Sequence, residues 1–200
     1  MTSSPPAGLR ERKKAKTRAA IREHAMRLFD EQGYAATTVD QIAEAAEISQ
    51  STFFRYFPTK EDVVVTDDYD EPILDAMRAQ PPEMHPAEAM RRAFREVFDA
   101  VTPAEWEAEQ RRQRLFHVVP ELRARVMQQY ATMIGLLAGV IAGRAGLPEG
   151  DFSARVMAGA LIGAALASSP GAMIGSTEFS DFDRVDRALR LLEAGLPLGP

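Results

Sequence analysis

Apolar positions in the first third of the chain fall into short helical stripes. Ile21, Ala25, Leu28 and Phe29 recur at i, i+4, i+7 and i+8, one face of a helix beginning near Lys14. Gly33 is placed to end that helix in a left-handed cap, with Tyr34 following. Thr38 opens a second, short helix, with Gln41 at the capping-box position and Val39, Ile42, Ala43 and Ala46 as its stripe. Ser49 caps a third helix carrying Gln50 to Phe57. Phe53 and Phe57, four apart, face inward there, which leaves Gln50, Ser51, Thr52 and Arg55 on other faces. Pro58 stops it, and Thr59 with Asp62 caps a fourth.

Helical patterning continues over segments near 60–79, 86–101, 103–118, 120–146, 151–168 and 180–194, punctuated by prolines and glycines such as Pro81-Pro82, Pro103, Pro120 and Pro170-Gly171. No stretch alternates with the period of a strand. The prediction is an all-α chain. It has a flexible basic arm over 1–13, a three-helix DNA-binding head over 14–62, and a helical bundle over 63–200 for ligand binding and dimerisation.

Charge sharpens this picture. Residues 10–28 hold eight arginines and lysines against two glutamates, although the chain of 200 residues carries a net charge of −5. A basic front on an acidic body predicts an anionic partner met by one end. Cysteine is absent, which excludes disulfides and thiolate metal sites, and the N-terminus lacks the apolar core of a secretory signal. A cytoplasmic location is expected.

Two short helices joined by a three-residue turn, the second with a small polar outer face, make a helix-turn-helix. The major groove admits one helix, whose N-terminal residues meet base edges. Gln50 suits bidentate bonding to adenine, and Ser49, Ser51 and Thr52 suit several bases. Thr38 at a helix start and Tyr56 and Lys60 beside the motif are the expected phosphate contacts; Lys14 and Arg18 in the basic segment are expected at the backbone or the adjacent minor groove, and Arg55 joins the DNA-binding set. The predicted partner is double-stranded DNA.

The run TRAAIREHAMRLFDEQGYAATTVDQIAEAAEISQSTFFRYFPTKEDVV, Thr17 to Val64, resembles the DNA-binding domain of the TetR family of bacterial transcriptional regulators. The likeness rests on Phe29 before the Gly-Tyr turn, the paired threonines, the I-A-x-A-A run and S-T-F-F-R-Y-F-P-T-K-E-D. It implies a homodimeric repressor whose C-terminal helices bind a small molecule and release a palindromic operator. Two positions depart from the pattern. Glu47 stands where the family carries a turn glycine, and a non-glycine held left-handed there costs roughly 1–2 kcal/mol. Phe54 stands where a tyrosine commonly meets phosphate.

The C-terminal region carries fewer signals. Met90, Phe94, Phe98, Trp106, Phe116, Met127, Tyr130 and Met133 are candidates to line an apolar effector cavity, with plain core as the competing reading. Gly135, Gly139 and Gly143 thin one face of the long central helix, for close packing or for a ligand. Phe182, Val185, Leu189 and Leu192 follow a 3-4-3 spacing, a seam for a partner helix. Val156 to Gly175 is uncharged and contains Gly159-x-x-x-Gly163, yet Pro170 interrupts it and its small residues suit a buried helix better than a membrane span. With the resemblance, Gly159, Gly163 and the 3-4-3 seam become the expected homodimer interface.

The three histidines lack ligand spacing and no nucleophile or phosphate-loop motif occurs, so neither an enzyme nor a cofactor or metal site is expected. The acidic run from Asp67 to Glu71 reads as a solvated surface. The expected mechanism is a spacing switch, transmitted to the recognition helix by one continuous helix near 60–79. Two rivals remain: a dimeric small-molecule carrier or sensor without specific DNA binding, and an activator of the same architecture.

Overall fold

The computed structural model describes residues 8–66, 68–168 and 181–197. It divides into two compact units, residues 1–66 and 67–200. Among the described residues all regular structure is helical.

The first unit contains α1 (Leu9–Gln32), α2 (Val39–Ala45), α3 (Gln50–Tyr56) and α4 (Lys60–Val65). Ile21, Ala25, Phe29, Ile42, Phe53, Phe57 and Val63 are fully or almost fully buried and form its interior. Burying side chains of this size stabilises by roughly 1.5–3 kcal/mol each relative to exposure, so short helices that would be unstable alone hold as a set. Helix α1 starts at Leu9, not near Lys14. Residues 9–16 are almost all strong helix formers, and Arg12 N–H bonds Gly8 O at 3.1 Å. The segment 9–13, expected as flexible arm, is therefore helical, and residues 1–7 lie outside the described residues.

Gly33 ends α1 at φ 87° and ψ 153°. That is an extended conformation essentially reserved for glycine, not the left-handed helical cap expected. The rotation leaves its carbonyl to accept the Thr37 hydroxyl at 2.8 Å. Both predicted capping boxes are present, Thr38 with Gln41 and Thr59 with Asp62. Ser49 caps α3 by accepting from Thr52 N–H at 3.1 Å. Each cap contributes about 1 kcal/mol.

The second unit contains α5 (Asp70–Ala79), α6 (Pro86–Phe98), α7 (Pro103–Val118), α8 (Pro120–Ala145), α9 (Phe152–Ser168) and α10 (Asp181–Glu193). Proline opens α6, α7 and α8, where its missing N–H costs nothing. Helix α9 packs on α8 and α10, and α6 on α5 and α10. Leu74, Met77, Ala93, Leu137, Ala158, Leu161 and Leu189 are buried at the centre. Arg144, near the end of α8, donates to the carbonyls of Met77, Gln80, Pro81 and Met84 at 2.7–3.2 Å. One guanidinium thus satisfies the end of α5 and the loop after it.

The helix expected over 60–79 is two helices. Helix α4 ends with Thr66 extended (φ −70°, ψ 125°), and α5 restarts at Asp70. Two causes act together. In a continuous helix, Pro72 would remove an interior hydrogen bond at a cost of about 3 kcal/mol, whereas in the first turn of α5 it is tolerated. Asp70 and Glu71 in that first turn complement the helix dipole. The candidate membrane run is also divided: α9 ends at Ser168, and residues 169–175 lie outside the described residues. Helix α8 is long and apolar enough by length and composition to cross a membrane, but Leu137, Val140 and Ile141 face the core of its own unit.

Candidate nucleic-acid interface and effector cavity

Helix α3 carries the short polar face. Phe53 and Phe57 are fully buried, so with about 100° between successive residues the opposite side presents Ser51 and Arg55. Gln50 and Phe54 flank it on one side, Thr52 and Tyr56 on the other. Ser49, Gln50, Ser51 and Arg55 are exposed; Thr52 and Tyr56 are half-buried. Ser49 Oγ lies 2.9 Å from Ser51 Oγ and donates to Thr52 Oγ1 at 3.0 Å. The hydroxyls therefore form one pre-arranged cluster at the helix start, beside the Gln50 amide. Arg55 lies 5.4 Å from the Tyr56 ring centroid.

Bracing of this helix comes partly from basic residues expected to touch phosphate. Arg18 sits 4.5 Å over the Phe57 ring and donates to Tyr56 O at 3.3 Å. Arg22 donates to Val63 O and Thr66 O at 3.1 and 2.9 Å. The two arginines of α1 thus hold the carbonyl ends of α3 and α4, where cations complement the helix dipole. Lys60 is likewise turned inward. Its ammonium donates to Tyr34 O at 2.8 Å and Thr37 O at 3.0 Å, and lies 4.1 Å over the Tyr34 ring. Arg18 and Lys60, expected at phosphate, each hold backbone carbonyls of the first unit. Lys14 is exposed on α1, with Lys13 and Lys16 beside it, and Thr38 is exposed at the start of α2.

Tyr34 closes the same brace, donating to Glu61 Oε1 at 3.0 Å. Burial works to raise the Glu61 carboxyl. Its backbone N–H, Tyr34, Thr59 and the charge of Lys60 outweigh that effect and hold it below the usual carboxylate range. The connection between α2 and α3 is equally defined. Glu47 N–H bonds Glu44 O at 3.0 Å and Ile48 N–H bonds Ala43 O at 2.9 Å, the paired bonds of a Schellman turn. Its left-handed position is occupied by Glu47 at φ 53°, so the strain expected of a non-glycine residue is located there.

In the second unit, a cavity of about 280 Å³ lies between α6 and α10, floored by Phe94, Phe98, Val185 and Leu189. Charged groups rim it. Arg91 donates to Asp186 at 2.8 Å and to Glu193 at 3.1 Å. Asp186 is drawn upward by burial but held below its ordinary value by hydrogen bonds from Arg91 and Arg190 and by their charges. Phe94 stacks on Phe98 at 5.7 Å, and Tyr69 and Trp106 pack against Phe98 at 5.5 and 6.0 Å.

Of the eight residues expected to line an effector cavity, Phe94 and Phe98 line this one and Trp106 lies behind them. Met90 is buried in the core, Met133 packs against that core, Tyr130 is half-buried and Met127 points outward. The side chain of Phe116 lies outside the described residues.

The stripe expected as a dimer seam packs, at least in part, within its own unit. Leu189 is fully buried within its own unit, and Val185 and Leu192 pack against that core. A 3-4-3 stripe serves an intramolecular neighbour as well as a partner, and here α6 and α9 take it. Gly159 is half-buried and Gly163 exposed; the Phe182 side chain lies outside the described residues. Exposed apolar side chains of the unit include Phe152, Val156 and Leu191. Gly135, Gly139 and Gly143 are exposed, and among the described residues a Cβ added at any of them meets open space.

Sequence reasoning missed three features. Phe54 is 48% exposed. Arg22 and Arg144 grip distant carbonyls. Helix α7 holds a buried ion pair, Arg112 with Glu109 at 2.5 Å, which Gln113 joins at 2.7 Å. Only the proximity of Phe54 to the polar face was visible in the chain itself.

The family model described as bacterial regulatory proteins, tetR family, matches residues 21–65, and the MftR C-terminal domain model matches residues 84–197. The HTH-type transcriptional regulator TcmR of Streptomyces glaucescens is 40% identical over 156 residues, covering 74% of this chain and 69% of its own. Among solved structures, Thermus thermophilus FadR, a repressor in complex with lauroyl-CoA, is 26% identical with a TM-score of 0.52, covering 92% of this chain and 96% of its own. A regulator from Streptomyces coelicolor A3 shares the fold at 23% identity and a TM-score of 0.56, covering 98% and 99%.

Proposed function

The chain belongs to the TetR family of bacterial regulatory proteins, and from that premise we propose that it represses transcription as a homodimer on a palindromic operator. It is a DNA-binding transcriptional regulator of helix-turn-helix type. The observation that carries the finer reading is the outward Gln50, Ser51 and Thr52 face on a helix braced by Phe53, Phe57 and Arg18. A side chain must be held to within a fraction of an ångström to read a base edge, and the bracing supplies that precision.

Release follows entry of a small, largely apolar effector into the C-terminal unit. The cavity floored by Phe94 and Phe98 supports this, as does the apolar lauroyl chain bound by the FadR relative. Because α4 and α5 are separate helices, the signal does not run along one rigid rod. The effector instead selects among arrangements of two units joined by a short connection. It must prefer one arrangement, since equal affinity for both shifts nothing.

Sedimentation of the full chain with a duplex enriched from random sequence tests the assembly. Two chains on one duplex, with inverted half-sites about 34–36 Å apart or a multiple of that, are expected. A single chain on an asymmetric site contradicts the homodimer. Transcription in vitro from a promoter carrying that duplex falls when the protein is added; a rise makes it an activator.

A further inference from the structure

We propose that Phe54 is a specificity-determining residue that reads the 5-methyl group of thymine, within about two steps along the groove of the base met by Gln50. The inference rests on the operator-binding reading above and adds a base preference to it.

Phe54 keeps 48% of its surface exposed, while Phe53 beside it is fully buried. The two rings meet edge to face, centroids 5.5 Å apart and planes at 90°. The exposed ring is therefore not a loose side chain; the buried one props it in a set orientation. A phenyl held in water beside the outward polar face of α3 loses stability in the free protein, and contact with an apolar partner on the duplex would recover it. Phe54 has no hydroxyl, so it offers phosphate nothing. The apolar feature that the major groove displays on its base edges is the thymine methyl.

Position fixes the register. Phe54 follows Gln50 by four residues and shares its flank of α3. At about 1.5 Å of rise per residue the two are separated by about 6 Å along the helix, less than two base-pair steps of about 3.4 Å. Gln50 suits adenine and Phe54 suits thymine, so this flank reads A·T pairs within about two steps of each other. Thr52, which also carries a methyl, lies on the opposite flank, and its hydroxyl accepts from Ser49 at 3.0 Å.

Replacing thymine by uracil tests the proposal without altering the protein, because uracil removes the methyl and keeps the base pair. Full-length protein is first used to enrich a duplex from random sequence, and each thymine of that duplex is then replaced singly. Burying one methyl group corresponds to about fourfold in affinity. The expected result is a loss of that size at one thymine per half-site. The loss vanishes in Phe54→Ala, which binds the parent duplex more weakly by a similar factor, and persists in Gln50→Ala. A loss that survives in Phe54→Ala places the methyl against another side chain, such as Thr52, and overturns the proposal. So does an enriched duplex indifferent to every thymine methyl, with operator binding itself left standing. A chain that enriches no duplex overturns the operator reading and this inference together.

Discussion

Substituting Glu47 by glycine isolates the strain in the turn between α2 and α3. Glu47 holds φ 53° within a Schellman turn whose two backbone bonds are intact, so glycine can replace it without moving the chain. An L-residue in this region costs roughly 1–2 kcal/mol. Glycine removes that cost but adds about 0.4–1 kcal/mol of unfolded-state entropy. The net expectation for Glu47→Gly is a gain of about 0.5–1 kcal/mol, or roughly two- to fivefold in protection. Hydrogen exchange in the full chain, read on a peptide spanning residues 43–57, measures it. Glu47→Ala is the necessary control. It removes the same charge near the recognition helix while keeping the strained backbone. Both variants should gain DNA affinity equally from the lost carboxylate, with the gain shrinking as salt rises. Only the glycine variant should gain protection. Equal protection in the two variants, or a loss in Glu47→Gly, would refute the assignment of strain to this residue.

Other perturbations probe the remaining parts. Gln50→Ala and Thr52→Ala should each lower operator affinity by about 1–3 kcal/mol and relax base preference in a binding-site selection; an unchanged preference counts against their contact with bases. Arg144→Met leaves four carbonyls without their shared donor and should cost roughly 2–4 kcal/mol of stability, read as a lower urea midpoint. Arg144→Lys should recover less than half, since one ammonium cannot span the same four oxygens. The link between α6 and α10 should weaken in acid. Asp186 is held below its ordinary value by Arg91 and Arg190, so as pH falls the unfolded state takes up the proton first. The stabilisation is present above the usual carboxylate range and is lost as pH falls through the lowered folded value. Between roughly pH 5 and 3 the wild type should lose more stability than Asp186→Asn, and equal slopes would remove Asp186 from that link.

The helix caps of the first unit were legible because a cap is a local event. Thr38 with Gln41, Ser49 with Thr52, and Thr59 with Asp62 each lie three residues apart, and each forms as expected. The inward pair Phe53 and Phe57 follows from helical spacing alone. Arg18, Arg22 and Lys60 were not legible in the same way. Their partners are carbonyls 23 to 44 residues away, and a basic side chain near a DNA-reading motif looks the same whether it faces phosphate or a helix end. The break before α5 did have a signal, Pro72 after an acidic run, but the apolar runs on either side masked it. The packing of the α10 stripe on its own unit was not legible, because amphipathic spacing does not name the surface that covers it. The effector cavity was the least legible, since rings and methionines at helical spacing serve a core and a ligand alike.

The central claim is that the outward face of α3 discriminates among base sequences. A competition titration of the full chain, with the enriched duplex against a scrambled one over a range of salt, tests it most directly. At physiological salt the enriched duplex should bind at least ~10³-fold more tightly, with both affinities falling steeply on a log–log plot. Weak binding of equal strength to the two duplexes would contradict it.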